Sequence, residues 1–301
     1  MSGYSMKTPC PRASQHPARI TWGFAGPWYG QLAEIPAGAD QLPYHIAFAR
    51  QHGLDLVSAG LADLRRRKPA DLERLAEDLD RFGLVIAPYV GFDYLALSAA
   101  EAAREAAKIG QFLTDHARLF RGMIAKTSAH AGHRFDRVAS WPEKRARLAR
   151  TIAPLAEACW QAGVPLAIEN HGDYYCSDLV GLCERVSCLH LFLDTGNTFL
   201  IGERPDLAIS VAAPWTIGTH FKDHRVRPRL DTVPLGFEID GAPLGEGDVP
   251  LRECYALLRR DAPWPDRLVM EIEMISPADM DPRTCLKRSL AFVRSLEKEA
   301  A

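Results

Sequence analysis

The chain has no CxxC pair among its seven cysteines, no apolar run approaching a membrane span, and no real surplus of charge of either sign. Each lack excludes a class of protein. Cys10, Cys159, Cys176, Cys183, Cys188, Cys254 and Cys285 are too scattered for a zinc knuckle. A chain of 301 residues, 47% hydrophobic, can bury a full core without a disulfide framework, so reduced and mostly buried thiols are expected. With 36 basic against 38 acidic residues, nothing favours a polyanion or a lipid surface, and neither a nucleic acid nor a membrane partner is expected. The opening MSGYSMKTPCPRASQHPAR lacks the apolar core of a signal peptide, so residues 1–18 are expected to form a loose tail on a cytoplasmic protein, with residues 19–301 as one domain.

What the chain does have is a steady alternation of short apolar runs and longer amphipathic segments. The strand candidates are ITWGF (20–24), LDLVSA (54–59), LVIAPY (84–89), GMIAKTS (122–128), PLAIEN (165–170), LHLFLDT (189–195), TIGTHFKD (216–223) and DRLVMEIE (266–273). Between and after them, segments such as ADLERLAEDLDRFG and SWPEKRARLARTIAPLAEACWQAG repeat apolar residues at helical spacing. Ser98 with Glu101 and Ser140 with Glu143 have the spacing of a capping box, and Gly83 and Gly163 stand where helices stop.

Eight strand-then-helix units in succession predict an α/β fold, a single-domain (β/α)8 TIM barrel. The alternative is an open doubly wound sheet, but the first strand–helix turn, FAGPWYG, lacks the glycine spacing of a dinucleotide fingerprint. The one long connection, HRVRPRLDTVPLGFEIDGAPLGEGDVP, is expected to lie over the barrel mouth.

The last four strands each finish in a residue able to bind a metal: Glu169, Asp194, His220 and Glu271. Parallel barrel strands direct their C-terminal ends to one face, so these side chains would converge. Three carboxylates packed together repel unless protons or a cation compensate, and one divalent metal is the simplest compensation. Oxygen donors with one imidazole suit Mn²⁺ best, with Mg²⁺, Co²⁺ and Zn²⁺ as further candidates. In MEIEM, Glu271 and Glu273 share a face; Glu271 is preferred because it follows directly on the apolar run, which leaves Glu273 nearer the rim as a substrate contact or surface charge.

IENH, LDTGN, THFKDH, GAPLGEGDVPL and LVMEIE, in this order, resemble the xylose isomerase-like barrel superfamily, the sugar isomerases and epimerases that share a fold with endonuclease IV. The resemblance covers about the C-terminal half, and the N-terminal half shares only the strand–helix rhythm. It implies a metal held by Glu169, Asp194, His220 and Glu271, with Glu169 and Glu271 as the acid/base pair that moves a proton on a keto sugar or sugar acid through a metal-stabilised enediolate. The alternative within the family is a lyase or decarboxylase on an oxidised sugar, including elimination from a 3-oxo-glycoside. Endonuclease-like DNA repair and a non-catalytic subunit are minor alternatives. LDLVSAG lacks the acidic residue that many of the epimerases carry after the second strand, and His130, His133, His171 and His224 do not reproduce a three-metal set. The family also implies a small carbohydrate ligand and a homo-oligomer or second subunit as partner.

The remaining candidates concern the substrate. Lys222 shares the face of His220 and could bind a carboxylate or alkoxide; His133 could meet a hydroxyl; His171 could act on the substrate or support a ligand. Trp22, Trp28 and Tyr29 could supply an apolar wall, with core packing as the alternative for Trp22, whereas Asn170, Asn197 and Glu246 read as orienting or turn residues.

Overall fold

Every apolar run becomes a strand in the computed structural model, which describes residues 19–26, 32, 34–129, 132–231, 233 and 236–299. In chain order these are β1 (Thr21–Phe24), β2 (Leu56–Gly60), β3 (Val85–Tyr89), β4 (Ala125–Ser128), β5 (Leu166–Glu169), β6 (Leu189–Asp194) and β7 (Thr216–Phe221), then a hairpin of β8 (His224–Arg229) and β9 (Gly236–Gly241), and last β10 (Val269–Ile272). The eight barrel strands close in the order β1-β10-β7-β6-β5-β4-β3-β2, parallel throughout. The expected fold is therefore the observed one. The tail expected at residues 1–18 lies outside the described residues.

The helices follow the amphipathic segments: α1 (Leu42–His52), α2 (Leu61–Arg65), α3 (Pro69–Phe82), α4 (Ala99–Asp115), α5 (Trp141–Gln161), α6 (Cys176–Cys183), α7 (Asn197–Leu200), α8 (Pro205–Ala212), α9 (Leu251–Asp261) and α10 (Pro282–Glu299). Ser98 starts α4 through the expected reciprocal pair: its N–H donates to the Glu101 carboxylate at 2.9 Å and its Oγ accepts from the Glu101 N–H at 3.3 Å. Ser140 donates its N–H to Glu143 at 2.8 Å in the same way before α5. Gly83 ends α3 at φ 66°, a conformation that favours glycine. None of the helices among the described residues is long and apolar enough to cross a membrane.

Strand alternation separates two cores. Outward residues such as Phe24, Ile86, Ile168 and Leu191 pack beneath the helices in the larger core. Inside the barrel, Leu56, Ala87, Ile124, Ala167, Phe192 and Val269 form a small apolar plug. Gly218 leaves room for it, since a Cβ there would stand 2.5 Å from Ile124 Cδ1 and 2.8 Å from the Phe192 ring. Lys126, Glu169, Asp194, His220 and Glu271 also point inward and are buried.

The long connection after β7 is more ordered than a covering loop. It forms the antiparallel β8–β9 pair, whose register sets Arg225 opposite Asp240 and Arg227 opposite Glu238. Pro228 inside β8 hid this strand from the apolar-alternation signal. The base of the hairpin is fastened by Asp223, whose carboxylate accepts the N–H groups of His224, Gly245, Gly247 and Val249 at 2.9, 2.9, 2.9 and 3.2 Å. Gly247 permits this, because a Cβ there would lie 2.2 Å from Asp223 Oδ1.

Candidate metal centre

Glu169 ends β5, Asp194 ends β6 and His220 is the penultimate residue of β7, so three of the expected donors converge as the barrel geometry requires. The fourth is Glu273. One donor atom from each of Glu169, Asp194, His220 and Glu273 lies within 4.8 Å of all the others. His220 Nδ1 sits 2.8 Å from Glu169 Oε1, 3.0 Å from Glu273 Oε2 and 3.9 Å from Asp194 Oδ2.

The strand-eight position therefore differs from the expectation of Glu271. Register pairs Glu271 directly with His220, and its carboxylate turns beneath the imidazole to Lys126 and to the Ser58 hydroxyl, which donates at 2.8 Å. The apolar run of β10 ends one pleat too low for the ligand level. Glu273, on the same face two residues later, stands just beyond the strand, where its N–H donates to the Phe221 carbonyl at 3.1 Å. Glu273 lines the cavity of the barrel mouth and Glu271 does not.

Each donor is held from behind. Asp194 Oδ1 accepts the N–H groups of Gly196 and Asn197 at 2.9 and 3.0 Å, which leaves Oδ2 facing the cluster with the Lys222 ammonium 2.8 Å away and no aligned hydrogen bond. Asn170 locks β5 to β6, donating to the Asp194 carbonyl at 2.8 Å and accepting the Asp194 N–H at 2.7 Å. Ser128 donates to Glu169 Oε2 at 3.1 Å. Lys222 also reaches Glu273 at 2.9 Å and Asn197 Oδ1 at 3.1 Å, so its expected place on the face of His220 is correct, but it is buried and engaged by the cluster's own carboxylates.

Burial would discharge these groups were they alone; together they hold one another charged. Burial pushes the Glu169 carboxyl up, but the His220 imidazolium overrides it and holds Glu169 down at about 2. Burial likewise opposes charge on His220, yet the Glu169 carboxylate beside it raises the imidazole to about 10. Asp194 is pushed up to about 6 by burial, against the pull of Lys222. Glu271 is buried too, but the Lys126 ammonium keeps it down at about 2.

The donor set fits one hard divalent ion. Oxygen and nitrogen donors about 2.0–2.3 Å from an ion lie at most about 4–5 Å apart, the scale of this cluster. Four carboxylates (Glu169, Asp194, Glu271, Glu273) face two ammonium groups (Lys126, Lys222), so a neutral imidazole leaves two negative charges for a dication to balance. Asp194 Oδ2, buried and without an aligned hydrogen bond, would gain a partner from such an ion.

Around the cluster the mouth opens into a cavity of about 930 Å³, with Glu169, His220 and Glu273 on one side and Ser58, Tyr89 and His45 on the other. His171 lines it as an exposed rim residue. His133 is exposed and instead joins two loops through Nε2 and the Gly172 carbonyl at 3.1 Å, outside the cavity lining. Trp22 does not form a wall of the mouth: alternation turns it outward, where it meets Phe221 edge-on at 5.9 Å and stacks on Tyr255 at 6.5 Å. Trp28, Tyr29 and His130 lie outside the described residues. Sequence reasoning missed Lys126, Ser58 and Ser128. The one available signal was Lys126 itself, a lysine inside the apolar run GMIAKTS.

The family described as xylose isomerase-like TIM barrel matches residues 46–296. Comparison with curated protein sequences finds no match. Among solved structures, a xylose isomerase-like TIM barrel protein from Mycobacterium smegmatis in complex with magnesium superposes with a TM-score of 0.68 at 16% identity, covering 96% of this chain and 99% of that one. D-psicose 3-epimerase from Clostridium cellulolyticum H10, solved with D-tagatose, gives 0.64 at 13% identity, with coverages of 93% and 99%. The probable 3-DHS dehydratase AsbF from Bacillus anthracis gives 0.62 at 17%, with coverages of 91% and 98%.

Proposed function

This chain belongs to the xylose isomerase-like TIM barrel family, and from that premise we propose that it is a divalent-metal-dependent isomerase or epimerase of a keto sugar or sugar acid. One observation carries the reading: Glu169, from the end of β5, and Glu273, from just beyond β10, reach the same cavity as members of one cluster fit for one ion. Glu273 takes the ligand and acid/base place that the strand-end argument gave to Glu271. When bound, the ion supplies positive charge that favours loss of a proton from the carbon beside a sugar carbonyl. Mn²⁺ ranks first for a set of three carboxylates and one imidazole, ahead of Mg²⁺, Co²⁺ and Zn²⁺.

Glu169, held by Ser128 and His220, takes the proton from one side of the substrate carbon. Glu273, held by Lys222 and His220, returns one from the other. Return to the opposite face of the same carbon gives an epimer; return to the neighbouring carbon gives an aldose–ketose isomer. The polar floor of Ser58, Ser128 and Lys126 offers hydrogen bonds to sugar hydroxyls, which supports a carbohydrate over an apolar ligand.

Purified protein loaded with Mn²⁺ and incubated with candidate keto sugars in D₂O tests this. The expected product keeps the substrate's formula with deuterium exchanged in. Release of water, CO₂ or an aglycone would replace the isomerase reading by the lyase one, and a protein that takes up no ion near one per chain would end both.

A further inference from the structure

The ion pair between Lys126 and Glu271 lies inside the barrel, just below the donor cluster, with both side chains almost wholly buried. Glu271 is neither at the ligand level nor in the cavity lining, and a buried ion pair is weak evidence for stability, so its presence here needs another reason. Its placement against His220 supplies one. The two ring nitrogens face different neighbours: Nδ1 faces Glu169 and Glu273 at 2.8 and 3.0 Å, whereas Nε2 faces Lys126 Nζ at 3.2 Å and Glu271 Oε2 at 3.6 Å.

A neutral imidazole that offers the Nδ1 lone pair to a cation carries its hydrogen on Nε2, and a buried N–H requires an acceptor. The Lys126 ammonium has only hydrogens to offer. Glu271 has the acceptors, and its Oε1 is buried with no hydrogen-bond partner while Oε2 is held by Lys126 and Ser58. We propose that Glu271 is a positioning residue that accepts the His220 Nε2–H and aims Nδ1 into the metal cluster, and that Lys126 and Ser58 hold the Glu271 carboxylate in place. The inference rests on the metal reading above. It assigns to the Lys126–Glu271 pair the outer-partner role whose loss lowers metal affinity about 10–100-fold. Phe192 completes the support, packing edge-on against His220 at 4.8 Å and lying 5.2 Å from the Lys126 ammonium.

Two double variants separate this role from a merely structural one. Lys126→Met with Glu271→Gln keeps a carbonyl acceptor, whereas Lys126→Met with Glu271→Leu removes it; neither leaves a buried unpaired charge. The readouts are Mn²⁺ affinity by calorimetry, the visible spectrum of the Co²⁺-loaded protein, and thermal unfolding of the metal-free protein. The expected result is similar metal-free unfolding for the two, with ion affinity about 10–100-fold lower and a changed Co²⁺ spectrum only in the Leu variant. Equal affinities and identical spectra would overturn the proposal. Wild-type protein that binds neither ion would overturn the metal reading itself, an outcome distinct from wild-type binding with no difference between the variants.

Discussion

The wall formed by β5, β6, β7 and β10 and the wall formed by β1, β2 and β3 enclose one cavity with opposite chemistry. The first ends its strands in carboxylates and an imidazole whose donor atoms converge within 4.8 Å, braced by Asn170, Asn197 and Lys222. The second offers Ala25, Ser58, Gly60 and Tyr89 to the same space, with no carboxylate at a strand end. The difference teaches a division of labour. On the proposed function, one wall would fix the ion and move protons, and the other would supply the volume and hydroxyl contacts that select the sugar.

Substitutions should break or sharpen that division. Glu169→Gln should lower the rate of deuterium exchange into a substrate by about 10²–10⁴-fold, the range for loss of an acid/base group. A wild-type rate would place the chemistry elsewhere. For the ion, Glu273→Gln should weaken Mn²⁺ binding by more than the roughly 10–100-fold typical of an outer partner, and Glu271→Gln, which keeps an acceptor, by less. The reverse order in calorimetry would return the ligand role to Glu271. The same measurement has a pH sign. Burial disfavours the charged ring, but Glu169 raises His220 to about 10, so the ion must displace a proton at neutral pH. Apparent affinity should therefore rise between pH 6 and 9, by about tenfold per pH unit for one displaced proton.

Gly218→Ala tests the plug beneath both walls. Its Cβ would meet Ile124 and Phe192 at 2.5 and 2.8 Å, so urea unfolding should report a loss of about 1–3 kcal/mol. The smallest effect is expected on the far wall. Tyr89→Phe removes a hydroxyl 3.4 Å from Ser128 Oγ and should shift KM by under about tenfold with metal content unchanged, since one hydrogen bond contributes about 0.5–1.5 kcal/mol. A loss of bound ion in this variant would show that the walls are not separable.

Much of this architecture is written in local patterns. Alternating periods gave all eight strands, the Ser98–Glu101 and Ser140–Glu143 pairs gave two helix starts, and strand-end placement pointed to Glu169, Asp194 and His220, which the barrel brings together. The rest depends on quantities that a one-dimensional pattern does not carry. Glu271 and Glu273 share a face, and only the register of β10 against β7 decides which reaches the cluster. The choice between wall and core for Trp22 rests on the phase of a four-residue strand, set by which neighbour lies inside, here Gly23, where a Cβ would stand 2.2 Å from Leu56 Cδ1. Lys126 escaped notice because its partner lies 145 positions away. The β8–β9 pair sets Val226 against Ile239 and Pro228 against Phe237 on one face, but this apolar stripe is short and interrupted by proline, so it is too weak to read as a strand pair.

The Asp223 clamp gives that hairpin an engineering meaning. Both of its ends are gathered onto one carboxylate: β8 leaves directly from Asp223, and the stretch after β9 returns its Gly245, Gly247 and Val249 amides to the same side chain. What lies between is a cassette with a fixed socket. Changes of length within the cassette should therefore stop at the socket and leave His220, three residues before Asp223 on the barrel strand, in place.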